Sequence, residues 1–226
     1  NCRLCGLQVM KKTDVQRGFT LIEMMVAIIV MSIGLLGVAG LQVISSKYKI
    51  NTWARANISG LVSDIGERIR VNSDVAGTNV MQGGVTMPSE YVVDKNSAVH
   101  TWEDQQSDAL TITKDCVTTA CSASERATYD LLAWRKQARA LLPQGATWLE
   151  GDKGAGFDVT LLWFDKEFTD RAGSADATAT DAEATRTLLK SRVCDGTETG
   201  FAQQSCCPAD ADAPEGVRCA RYRFVP

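Results

Sequence analysis

Hydrophobic and polar positions are distributed very unevenly along this chain. Residues 24–46 carry no charge, with Glu23 before them and Lys47 after them. About 20 apolar residues suffice for a helix to cross a bilayer core, so this run is long enough to span. Beyond it, Ile50, Ala54, Ile58, Leu61, Ile65 and Ile69 recur every three or four positions, with Lys47, Lys49, Asn57, Asp64, Glu67 and Arg68 between them. That spacing is one apolar face of an amphipathic helix. Asn72-Ser73-Asp74 followed by Gly77 supplies a stop. The pattern therefore predicts a helix over about 19–72, apolar all round in its first half and one-sided in its second.

The remainder alternates between turn chemistry and shorter periodic segments. Residues 73–100, with Gly77, Gly83, Gly84 and Pro88, read as loop with a short strand at most. Ser122-Ala123-Ser124-Glu125 has the Ser-x-x-Glu form of a capping box, which predicts a helix running to about Leu142, where Pro143 stops it. Leu131, Trp134, Ala138 and Leu141 are its expected buried stripe. Two strands are expected at 146–150 and 158–164, joined by the glycine-rich segment 151–156. Both faces of the second strand are apolar, which marks a central strand covered on two sides. Residues 172–187 are small and polar and read as a mobile loop. Residues 217–225 alternate as a last strand, with Tyr222 and Phe224 expected to face inward.

Charge and cysteine content refine this picture. The 226 residues have a formal net charge of −3, and because residues 1–18 carry Arg3, Lys11, Lys12 and Arg17 against Asp14, residues 19–226 are more acidic than the total suggests. Such a domain offers no broad basic field for nucleic acid. The segment 1–9 reads as upstream residues, with Met10-Lys11-Lys12 as the natural start; Cys2 and Cys5 leave the count with it. Cys116, Cys121, Cys194, Cys206, Cys207 and Cys219 remain. An even number of cysteines in an exported domain points to disulfides, for which six allow 15 connectivities. The pattern does not suit zinc, because Cys206 and Cys207 are adjacent and His100 is the sole histidine. Spacing favours a small loop closed by Cys116 and Cys121, and a bond from Cys206 or Cys207 to Cys219 would clamp the C-terminal strand.

The chemistry of the anchor lies at its start. A carboxylate at the head of a membrane segment is costly and normally has both a partner and a role. Glu23 sits in Arg17-Gly18-Phe19-Thr20-Leu21-Ile22-Glu23, behind a basic flank that would stay in the cytoplasm. The run lacks the Ala-x-Ala site of an ordinary signal peptide, and the candidate cleavage point, Gly18/Phe19, precedes it. Cutting there would leave the anchor on the mature chain, with the new Phe19 amine one helical turn from Glu23. In hydrocarbon that ion pair is favoured over either charge alone. Gly34, Gly37 and Gly40 would let helices approach closely or let this one partly unwind.

These residues resemble the type IV prepilin family. The resemblance implies cleavage after Gly18 by prepilin peptidase, N-methylation of Phe19, and pairing of Glu23 with the N-terminal amine of an adjacent subunit. It implies an α+β type IV pilin fold, a long N-terminal helix packed on a small antiparallel sheet with a disulfide-bearing C-terminal region. The domains are then a cytoplasmic leader at 1–18, a transmembrane and filament-core helix at 19–46, and a periplasmic globular domain at 47–226. The segments 32–42, 64–72, 129–134 and 141–145 are similar to the PilV group of minor pilins, with Gln144 standing where that group often has Gly. That narrower resemblance implies a minor pilin that co-assembles with other minor pilins and the major pilin, primes pilus growth, forms the tip, and supports adhesion, twitching motility or DNA uptake. Its implied partners include the inner-membrane pilus assembly machinery, and membrane lipid before assembly.

Two other function classes compete with this one. A minor pseudopilin of a type II secretion system shares the anchor and its processing. A membrane-anchored periplasmic enzyme is disfavoured, since no nucleophile, zinc-protease or phosphate-loop motif occurs and no cofactor or metal is implied. Asp152, Asp158 and Asp165 read as turn residues rather than a carboxylate pair or Ca²⁺ site. Arg218, Arg221 and Arg223 read as a solvated edge strand rather than a site for direct nucleic-acid or receptor binding, with Arg221 and Arg223 on one face.

Overall fold

A computed structural model describes residues 18–82, 85–169 and 187–226. The leader up to Arg17, with Cys2 and Cys5, lies outside the described residues, as do all but Thr187 of the 172–187 loop and the side chain of Ile50. The chain divides into two compact units, 1–46 and 47–226. Helix α1, Leu21–Val71, runs through the end of the first and the start of the second.

In the first unit, every described side chain from Phe19 to Gln42 is exposed. The stretch Leu21–Gln42 is 22 residues long and apolar enough to cross a membrane. At 1.5 Å rise per residue it is about 33 Å long, matching a hydrocarbon core of about 30 Å.

In the second unit, Ala54, Ile58, Leu61, Ile65 and Ile69 of α1 are each at most 1% exposed. After α1 a hairpin forms, β1 (Thr78–Gln82) antiparallel to β2 (Val85–Met87), where the composition suggested loop. The signal was the two-residue Gly83-Gly84 connection between short β-prone runs, a hairpin length and type. Helix α2 (Trp102–Ser107) was also not anticipated: six residues are too few to show a helical period. Thr101 starts it, its hydroxyl accepting the Asp104 N–H.

Helix α3 (Ala123–Leu141) begins at the expected capping box. Ser122 Oγ accepts the Glu125 N–H at 3.3 Å, and the Glu125 carboxylate accepts the Ser122 N–H at 2.8 Å. Such a cap contributes about 1 kcal/mol. Ala127, Asp130, Trp134 and Ala138 form the buried side, with Leu131 and Leu141 half-buried. Past its end, Gln144 has φ +50°, the left-handed region that favours glycine, so the local turn keeps the glycine-type conformation without the glycine. Gly145 is required for space, because a Cβ there would meet Ala138 O at 2.4 Å.

Strands β3 (Ala146–Asp152), β4 (Gly156–Phe164) and β5 (Val217–Phe224) form an antiparallel sheet in the order β3-β4-β5. The β3–β4 ladder continues to Asp152↔Gly156, so both strands reach two residues farther into the connecting segment than expected. β4 is central, and the two cores on its faces explain why it is apolar on both. Phe157, Val159, Leu161 and Trp163 join α1 and α3 in one cluster. Leu162 joins Trp102, Ala146, Trp148, Cys207, Val217 and Cys219 in the other. Phe224 turns inward as expected, packing on Gly66 and stacking on Phe157 with ring centroids 5.7 Å apart. Tyr222 lies on that same face, opposite Val159 in the ladder, but stays 44% exposed because β5 is an edge strand and its flank lies open. The architecture is α+β: a long N-terminal helix and a small antiparallel sheet with disulfides in the C-terminal region.

Candidate functional site

The residues with the most specific chemistry stand at the head of α1. Gly18, Phe19 and Thr20 precede the helix and are exposed, Phe19 by 78%. The Gly18–Phe19 bond is thus free of helical hydrogen bonding. Among the described residues, its chain neighbours aside, no atom lies within 4 Å of where a Cβ on Gly18 would sit, so their packing does not demand glycine there. Thr20 starts the helix: its carbonyl accepts the Glu23 N–H at 3.1 Å and its hydroxyl accepts the same N–H at 3.3 Å. Glu23 lies in the first turn and is exposed. Unpaired N–H groups and the helix dipole favour a negative charge at that end. At Gly34, Gly37 and Gly40 a Cβ would meet nothing within 4 Å, leaving a surface on which another helix could come close.

The C-terminal cysteines are joined in three pairs. Cys116 bonds to Cys121, closing a small loop just before α3. Cys194 bonds to Cys206, and Cys207 to Cys219. The adjacent Cys206 and Cys207 therefore diverge: one closes a loop around α4 (Phe201–Ser205), the other fastens that region to β5. Between the two C-terminal candidates for Cys219 that the sequence left open, the structure selects Cys207.

The charged groups are mostly committed to the fold. Arg218 pairs with Asp165 at 2.6 Å and lies over the Phe168 ring. Arg221 lies 3.3 Å from Asp158 and 3.8 Å from Glu150, and Arg223 lies 3.8 Å from Asp158. Asp152 accepts the N–H groups of Gly154 and Ala155 in the β3–β4 turn. Asp158 and Asp165 are ion-paired with these arginines. His100 is half-buried in a loop, its Nδ1 2.6 Å from Ser97 O.

A buried polar network escaped the sequence reading. Asp130 is 4% exposed and accepts from Arg68 Nη1 at 2.9 Å and from the Tyr91 hydroxyl at 2.9 Å. Arg68 also bonds Asp64, and Asn72 Nδ2 donates to Tyr91 Oη and to Ala123 O. Burial pushes the Tyr91 phenol well above its ordinary value, and the Asp130 charge acts in the same direction. Arg68, Asp64, Asn72 and Asp130 line a cleft of about 530 Å³ beside the ends of α1 and α3. The available signal was a charge on an otherwise apolar helical stripe: Asp130 falls between Ala127 and Trp134.

Residues 14–39 match the family described as the prokaryotic N-terminal methylation motif. No curated protein and no solved structure matches the chain. The chain thus carries a type IV prepilin-like motif, whose implications are processing by prepilin peptidase and assembly with pilus machinery. An N-terminal apolar helix with this motif fits inner-membrane anchoring of a pilin-like or pseudopilin-like structural protein. The matched stretch ends at Ala39, short of the segments 64–72, 129–134 and 141–145.

Proposed function

We propose that this protein is a minor pilin of the PilV group. It is held in the inner membrane by a single span with residues 47–226 in the periplasm, then drawn into a type IV pilus. One observation carries the reading: a membrane-length apolar helix has its carboxylate, Glu23, in the first turn, next to an exposed Gly18–Phe19 bond inside a prepilin motif. Cleavage there removes the basic leader and creates the Phe19 amine, which is then N-methylated. Lipid is a poor solvent for Glu23 alone, so the carboxylate seeks the amine of a neighbouring subunit. That pairing sets axial register while the exposed helix faces bury against other subunits. With other minor pilins and the major pilin as partners, the protein primes growth and occupies the tip, and adhesion, twitching motility or DNA uptake depend on it through the filament.

The test separates processing from assembly. A bulky substitution at Gly18 is expected to leave the full-length precursor in membranes. Glu23→Val is expected to yield a processed chain that is absent from sheared filaments. A mature-size Gly18 variant, or Glu23→Val incorporated at the wild-type level, would sink the reading. The type II secretion alternative makes the opposite genetic statement: deletion would impair protein secretion and leave twitching intact.

A further inference from the structure

We infer that the Cys194–Cys206 bond is a reversible redox latch that holds residues 195–205 in place, while the Cys207–Cys219 bond is a permanent clamp. The inference rests on residues 47–226 alone and does not depend on the anchor's role. Both bonds have a sequence separation of 12, so loop-closure entropy does not rank them. Access does. Cys207 and Cys219 are both buried, in the core that also holds Trp148 and Leu162. Reaching either sulfur requires that core to open. Cys206 is buried too, but its partner Cys194 is only half-buried. Attack by a thiolate at Cys194 Sγ therefore needs no unfolding.

The segment under the latch has little other support. None of residues 195–205 is buried. Within them, α4 has five residues, no side-chain cap and no buried position. A helix that short does not persist in water on its own. Asp195 and Glu198 fold the preceding turn on itself: Asp195 accepts the Thr197 N–H, and Glu198 accepts those of Asp195 and Gly196. Among the described residues no hydrogen bond joins 195–205 to β5, although α4 packs beside that strand. Reducing this one bond thus frees α4 and the exposed Phe201 and leaves the sheet closed.

The ends of the loop make the change reversible. The Cys194 N–H donates to Cys207 O and the Cys207 N–H to Arg192 O, both at 2.8 Å. Cys207 meanwhile stays bonded to Cys219. The freed Cys194 and Cys206 are therefore kept side by side, at the high effective concentration of an intramolecular pair, and re-form the same bond. In the opening direction, a thiolate of a reduced dithiol protein attacks Cys194 Sγ and forms a mixed disulfide. The Cys206 sulfur leaves and takes up a proton, with Gln203 O 3.5 Å away to accept its S–H. The carrier's second thiol loses its proton and attacks the mixed disulfide. Cys194 is released and protonated, and the carrier departs as a disulfide. Two electrons pass from carrier to latch, and an oxidised carrier runs the same steps backwards.

The test uses the full chain in detergent micelles without denaturant. Reduction by limiting dithiothreitol is quenched with acid at intervals, and free thiols are labelled after unfolding and located by mass spectrometry. The expected result is that Cys194 and Cys206 become free roughly tenfold faster than Cys207 and Cys219. Amide hydrogen exchange should rise over 195–205 and stay unchanged over 217–224. Oxidised glutathione should then restore the Cys194–Cys206 bond. Equal rates for the two bonds, earlier loss of Cys207–Cys219, unchanged exchange over 195–205 or mispairing on reoxidation would each overturn the inference. A Cys194→Ser, Cys206→Ser double variant should fold with only 195–205 loosened. Its failure to fold would also overturn the inference, because a latch is dispensable to the sheet.

Discussion

Asp130 shows how much a single charge can determine when it is buried. It lies on the same side of α3 as Ala127 and Trp134, and there it joins Arg68 of α1 to Tyr91. Replacing it with Ala removes one partner and leaves the Arg68 guanidinium, 28% exposed, with Asp64 alone. The expected cost is about 3 kcal/mol, measured as a shift of the denaturation midpoint at constant slope. Arg68 is not fully buried, and this places the cost at the lower end for a broken buried pair. Tyr91 adds a pH dependence. Its folded pKa is raised, so the folded state holds this proton more tightly than the unfolded chain does. The contribution is therefore fully present below the ordinary tyrosine value of about 10 and is lost as pH rises above it. Stability of the wild type should fall through that alkaline range, and Tyr91→Phe should flatten the fall. An unchanged alkaline slope in Tyr91→Phe would remove this account.

At the level of elements, β4 and β5 do the organising. β4 is covered on both faces, and each of its neighbours contributes to both cores: β3 gives Leu149 to one and Ala146 and Trp148 to the other, β5 gives Phe224 to one and Val217 and Cys219 to the other. β5 is held by the ladder, by Phe224 against α1, and by the Cys207–Cys219 bond, whose sequence separation is 12. A loop of that size gives an expected stabilisation of about 3 kcal/mol by restricting the unfolded chain. Cys219→Ser should therefore lower the melting temperature and free Cys207, with the largest gain in hydrogen exchange along 217–224. Non-reducing mass spectrometry should find all six cysteines from Cys116 onward oxidised in wild-type protein, and free thiols throughout would contradict the three-bond pattern.

For the whole molecule, the decisive fact is that the chain comprises two units of opposite surface character. Leu21–Gln42 exposes apolar side chains around the helix, while residues 47–226 bury their own core. The second unit has its own sheet, caps and disulfides, and it should remain folded when residues 1–46 are removed. A cooperative thermal transition and three intact disulfides in the 47–226 fragment are the expected outcome; a molten fragment would show that α1 needs its first half to form.

The anchor, α3 and the central strand were legible in the sequence because their signals are local. An uncharged run has a length, a capping box has a spacing of three, and a strand apolar on both faces announces two coverings whatever the partners are. Glu23 stands out in the sequence for the same reason, a carboxylate beside hydrocarbon being conspicuous without any knowledge of the fold, and its pairing belongs to the proposed function. What packs where was not legible. The divergence of Cys206 and Cys207 depends on which way each side chain leaves a turn. The exposure of Tyr222 depends on β5 having no outer neighbour, and the role of Gln105 on α2 landing against β3. Composition and period describe what each segment can bury. Only the tertiary structure decided which groups, distant in sequence, meet to satisfy one another, because hydrogen bonds, ion pairs and disulfides are made across space by residues whose sequence neighbours carry no record of the partner.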